Sequence, residues 1–204
     1  MLTTEKDIER VVKSTKKGQL LFPEDFTMYG SQDAIRKALQ RLREKGLLRR
    51  VAQGIYVRPQ HNDLFGEITP TAEQIAQGIA RRDKATIIPA GAYAENVLGL
   101  STQVPLNVVY LTSGSSRKVV LKNRTIKFKY ATPKNFAFKG QISQLVVQAL
   151  KHIGKDRVSD EQIKKVLQQL KKEDQNKLKQ DIKLAPEWIR VIMRKAIKPS
   201  ESGK

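Results

Sequence analysis

Gln32, Arg36, Lys37 and Gln40 recur within one short stretch, and their side chains carry the groups that read the edges of nucleic-acid bases. Arginine or lysine fits guanine O6 and N7, and glutamine pairs bidentate with adenine. Arg41 and Arg43 continue the stretch, and Arg49, Arg50, Gln53 and Arg58 follow it. The last four suit phosphate contacts, which supply affinity without sequence information. These ten residues form the expected interface with double-stranded DNA. A second set comprises Ser113, Ser115, Arg117 and Lys118, with Lys127 and Lys129 beyond. Its Gly-Ser turn follows an apolar run, so backbone N–H groups there could cradle the phosphate of an anion or RNA. A plain connecting turn is the alternative reading.

Other chemistries lack their residues. With no cysteine there is no disulfide, thiolate metal site or thiol nucleophile. The two histidines, His61 and His152, stand far apart and match no metal-ligand spacing. Neither a G-x-S-x-G elbow nor a P-loop is present. The string Thr112-Ser113-Gly114-Ser115-Ser116-Arg117-Lys118 could open a nucleotidyltransferase site, but that reaction needs carboxylates close behind to hold magnesium, and the next acid is Asp156. No catalytic residue, metal or cofactor is expected, and the chain is not expected to be an enzyme.

Thirty-nine basic against 20 acidic residues give a net charge of +19, which favours a polyanionic partner. Residues 1–30 balance five against five, whereas residues 31–60 hold eight basic and two acidic. Positive charge therefore sets in at Ser31. No apolar run approaches the roughly 20 residues that span a bilayer. The polar, acid-bearing start MLTTEKDIER is unlike a secretory signal, so a cytoplasmic protein without membrane contact is expected.

The elements that must position the first set are legible. Thr4 to Thr15 reads as a helix with Ile8, Val11 and Val12 on one stripe, Thr4 as its cap and Asp7 as the box partner. Gln19 to Phe22 reads as a small strand closed by Pro23, and Glu24 to Met28 as a short helical segment. Ser31 and Gly46 bracket a helix whose apolar face is Ala34, Ile35, Ala38, Leu39 and Leu42. Leu47 to Val51 and Ile55 to Val57 then predict a hairpin turning at Ala52-Gln53-Gly54. This order predicts a winged helix-turn-helix, in which the second helix of the pair enters the major groove. An ordinary solvated helix face, with the hairpin docking on another protein, is the competing reading.

His61-Asn62-Asp63 is read as a linker, giving two domains, 1–60 and 61–200. Thr69-Pro70 predicts a helix start, with Ile75, Ala76 and Ile79 as its stripe. Strands are expected at Ala85 to Pro89, Val108 to Leu111, Val119 to Leu121 and Thr125 to Tyr130, with a helix from Gly91 to Leu98. In the last strand Ile126, Phe128 and Tyr130 should face one way and Lys127 and Lys129 the other. Helices striped by Leu145 to Leu150, Ile163 to Leu170 and Trp188 to Met193 finish the chain, the second opened by a Ser159/Gln162 capping box. The class is thus α+β: a winged helix-turn-helix, then a mixed α/β domain with a small sheet and C-terminal helices. From Asn96 to Lys155 there is no carboxylate, so Arg117, Lys118, Lys122, Arg124, Lys127, Lys129, Lys134, Lys139, Lys151 and Lys155 must find acids elsewhere, water or an anionic ligand. An RNA-binding module, for tRNA, centred on that stretch is the alternative function.

The strings EQIAQGIARRD, IIPAGAYAENVLGLSTQVP and VVYLTSGSSRKV, behind such an N-terminal module, resemble the AbiE-type (AbiEi-like) antitoxins of bacterial toxin–antitoxin operons. The likeness runs from about Thr4 to Tyr130. It implies a transcriptional regulator that represses its own operon by binding operator DNA, with Gln32, Arg36, Lys37 and Gln40 reading bases. It also implies a second domain, containing Gly91 to Pro105 and Thr112 to Lys118, that opposes a nucleotidyltransferase toxin without a stable complex.

Overall fold

The computed structural model describes residues 4–197, which divide into two compact units. One runs to Ile79 and includes Val119–Arg124; the other holds Ala80–Lys118 and the chain from Thr125 onward.

The first unit opens with α1 (Thr4–Ser14), which buries Ile8 and Val12. Thr4 lies inside the helix, so any cap precedes it, outside the described residues. Strand β1 (Leu20–Leu21) leads into a 3-10 segment, Pro23–Tyr29, that buries Phe26. Helix α2 (Gln32–Glu44) starts where expected: the Ser31 hydroxyl accepts the Ala34 N–H at 3.3 Å, and Gly46 beyond its end takes φ +74°. Its buried face is Ile35, Ala38, Leu39 and Leu42, which join Ile8, Val12, Leu21, Phe26 and Leu48 in one core. Strands β2 (Arg49–Ala52) and β3 (Ile55–Val57) form a hairpin, and β1 completes an antiparallel sheet in the order β1-β3-β2.

The segment after Pro59 is a hairpin, where the sequence reading expected a linker. Strands β4 (Gln60–Asn62) and β5 (Gly66–Ile68) pair antiparallel. The cause is the Asn62 side chain, whose Oδ1 accepts the N–H groups of Leu64 and Phe65 at 2.9 and 3.1 Å and closes the turn. The first unit therefore continues past residue 60 into α3 (Ala72–Arg82). That helix is capped by Thr71, not Thr69: Thr71 and Gln74 exchange side-chain-to-backbone bonds at 3.1 and 2.8 Å. A reciprocal capping box satisfies two donors and outweighs the Thr-Pro signal.

The second unit contains a helical layer and strands β6, β7, β9 and the start of β8, of a sheet ordered β6-β7-β9-β8. Strand β6 (Ile87–Ala90) runs antiparallel to β7 (Asn107–Thr112), with α4 (Ala92–Val97) between them in sequence. Strand β7 runs parallel to β9 (Thr125–Tyr130), which β8 (Arg117–Val120) flanks. Ile126 and Phe128 are buried as expected, but Tyr130 is 61% exposed. The strand ends there, and the next residue, Ala131, turns inward. Helices α5 (Gln141–Ile153), α6 (Asp160–Leu170), α7 (Gln175–Asp181) and α8 (Glu187–Arg194) enclose a core that includes Val146, Leu150, Val166, Leu170, Leu178, Ile189 and Met193. The Ser159/Gln162 capping box forms as the sequence predicts, and α7, begun by Asp174, is an additional helix.

Candidate nucleic-acid interface

The exposed side of α2 follows from helix geometry. At about 100° per residue, Gln32, Arg36, Gln40 and Arg43 fall within roughly an 80° arc, with Lys37 and then Arg41 turned further round. The hairpin supplies the opposite wall. Gln32, Arg36, Gln40, Arg43, Arg50 and Gln53 together line one cleft of about 760 Å³, floored by Ile35 and Tyr56 and edged by Pro23, Glu24 and Thr27. Six of the ten expected DNA-contacting residues thus converge.

Their restraints are slight. Arg36 is 71% exposed and reaches Asp33 at 3.6 Å, one helical turn away, a pair of little energetic weight. Gln40 donates to Glu44 at 3.0 Å. Arg50 is better held: its Nε donates to the Ala52 carbonyl at 3.2 Å across the irregular register of β2. Gly54, at φ +66°, turns the hairpin so that Gln53 projects. The segment Pro23–Tyr29, expected from the sequence as a short helical segment with no DNA-contacting residue, brings the cleft's one lining carboxylate, Glu24. A glutamate at a groove could accept from cytosine N4.

The other four lie elsewhere. Arg41 bonds Glu5 at 2.9 Å, where Lys45 also binds at 2.7 Å, so it clamps α1 to α2. Both bonds hold the Glu5 carboxyl below its ordinary pKa, and Glu5 raises that of Lys45. Arg49 pairs with Glu67 of β5. The Arg58 guanidinium donates to the Thr15 carbonyl, while its backbone bonds Gly18 and Gln19. Lys37 is exposed but outside the cleft lining. The partners of Arg41, Arg49 and Arg58 are distant in sequence, which is why residue type alone could not assign them.

In the second set, Ser113 and Arg117 are committed internally. The Ser113 hydroxyl accepts the Thr86 N–H at 2.9 Å, and the Ser113 N–H donates to the Thr86 carbonyl at 3.0 Å. The Gly114 N–H donates to Thr112 Oγ1 at 3.1 Å, so these two amides are unavailable to a phosphate. Arg117 pairs with Asp83 and lies 6.0 Å from the Phe128 ring centroid. Ser115, Lys118 and Lys129 remain exposed, and Lys127 is intermediate. Among the described residues no group of three or more His, Cys, Asp or Glu could hold a metal ion, and no helix is long and apolar enough to cross a membrane.

These features define an α+β protein of two compact units, the first bearing a cation-rich cleft. The chain belongs to a family of unknown function, DUF6088, whose model matches residues 7–178. No curated protein matches it. Among solved structures, the RV2827C protein from Mycobacterium tuberculosis is similar over 98% of this chain and 84% of its own, at 13% identity and a TM-score of 0.43.

Proposed function

We propose that the protein is a DNA-binding transcriptional regulator that reads duplex DNA through α2 and grips phosphates through the β2–β3 hairpin. The observation that carries this reading is the convergence of Gln32, Arg36, Gln40 and Arg43 with Arg50 and Gln53 on one cleft. Helix α1, strand β1, the 3-10 segment, α2 and the hairpin follow one another as in a winged helix-turn-helix, whose second helix fits the major groove. Ser31 and the short bonds from Arg41 and Lys45 to Glu5 fix α2 on its scaffold, so the reading face is held before DNA arrives. The resemblance to AbiE-type antitoxins supports an autoregulatory role in a bacterial, cytoplasmic toxin–antitoxin operon, with a nucleotidyltransferase toxin as functional partner.

The test is fluorescence anisotropy against the upstream region of the protein's own gene and against random duplex. With about five phosphates contacted, log affinity falls with log salt at a slope of roughly −4 to −5. Arg36→Ala removes discrimination worth about 1–3 kcal/mol between specific and random duplex. Arg50→Ala weakens both alike and lowers the salt slope by about one. Equal losses from both variants on both duplexes would refute the assignment of α2 as the reading helix. Folded tRNA as competitor separates this reading from an RNA-binding one.

A further inference from the structure

A second cationic site lies wholly within the second unit and takes no part in the reading of α2. Lys134, Lys151, Lys183 and Arg190 line a cavity of about 400 Å³, with Phe138, Leu184, Ala185 and Pro186 as its apolar wall. The cavity lies within the size range of small-ligand pockets.

Its charge is unbalanced. The one lining carboxylate, Glu187, already bonds Arg190 at 2.9 Å and stands 3.6 Å from Arg194. Among the described residues none of the three lysine ammonium groups has a carboxylate partner. Arg190 is fixed in place, its guanidinium donating to the Lys183 and Ala185 carbonyls at 3.4 and 3.2 Å. Its Nε is nonetheless buried with no hydrogen-bond partner. Lys151, although exposed along much of its length, has its pKa held below the ordinary lysine value, first by burial and then by Lys134. Like charges gathered around a buried donor cost stability unless an anion offsets them.

We infer that this cavity binds a terminal phosphate, with Lys134, Lys151 and Lys183 as counter-charges and Phe138 against the ligand's organic part. A dianionic phosphomonoester matches three unpartnered cations better than the single charge of an internal phosphodiester, and the volume suits a mononucleotide.

The test is calorimetric titration of the full chain with inorganic phosphate, with AMP, and with an RNA octamer bearing 5′ and 3′ hydroxyls. Lys151→Met and Lys183→Met each remove one lining cation from an exposed position, and the use of two separate sites guards against misfolding. Phosphate and AMP bind the wild type, and each variant weakens them roughly tenfold or more, the value of a lost charge-assisted hydrogen bond. Duplex DNA binding is unchanged in both variants, which separates this site from α2. Phosphate and AMP affinity unaltered by both substitutions overturns the proposal. So does site-dependent binding of the octamer alone, which would assign the cavity to a nucleic-acid backbone.

Discussion

Gly140 stands where two carboxylates meet. The Asp181 carboxylate accepts the N–H groups of Lys139 and Gly140, both at 2.7 Å, and Glu173 accepts those of Ile142 and Ser143 at 2.8 and 3.2 Å. The first turn of α5 has no acid of its own, so its free donors and positive dipole end are satisfied from about thirty to forty residues downstream. A Cβ on Gly140 would fall 2.3 Å from Glu173 Oε2 and 3.0 Å from Asp181 Oδ2. Gly140→Ala must therefore displace the cap, and a loss of about 1–3 kcal/mol is expected in urea unfolding. A neutral result would mean that the carboxylates can move without loss. Lys151 makes the opposite case. Its lowered pKa means that the folded state disfavours its charge, so Lys151→Met raises stability near neutral pH, by no more than about 1 kcal/mol because solvent screens the group. The gap closes as pH climbs toward the ordinary lysine value of 10.5, where the wild type is relieved of the same charge. Greater stability with weaker phosphate binding is the signature of a charge cluster kept for a ligand.

At the scale of elements, the junction of α1 and α2 rests on an apolar seam and an ionic clamp. Leu39 is fully buried within that seam, and Leu39→Ala costs about 2–5 kcal/mol by leaving a cavity. The clamp is pH-dependent. Glu5 has a depressed pKa in the folded protein, so its contribution is complete above the ordinary glutamate value of 4.5 and is lost as pH falls through the folded value. The difference in melting temperature between wild type and Glu5→Gln should hold near neutrality and shrink progressively as pH falls below 4.5; a gap that does not change with acidification would show that the clamp is not ionic. Which elements could be read from sequence follows the same physics. Helix α2 was legible because Ser31, Gly46 and its stripe are local signals, and so were the β2–β3 hairpin and the box that opens α6. The β4–β5 hairpin was missed because three residues and an Asn62 side-chain turn leave no periodicity. Arg41 and Arg58 carry the charge expected of DNA ligands, yet their partners, Glu5 and Thr15, lie 36 and 43 residues away, a distance that composition cannot bridge.

For the whole molecule the net charge of +19 acts in opposite directions on the fold and on a polyanion complex. Residues 31–60 carry eight basic and two acidic side chains, and residues 141–204 carry fifteen and eight, so self-repulsion is present in both parts of the chain. Salt screens that repulsion and should stabilise the free protein. The same salt competes with phosphate neutralisation and weakens duplex binding, by about 10³-fold or more between roughly 50 and 200 mM for six or more phosphates and by less for five. Melting temperature should therefore rise while DNA affinity falls over one titration. The stabilisation that duplex confers on melting should shrink with the logarithm of the affinity, since a ligand at free concentration L stabilises by RT ln(1 + L/Kd). If affinity held constant as salt rose, the cations of the cleft would not be meeting phosphates, and Arg43, Arg50 and their neighbours would instead serve a contact with another protein.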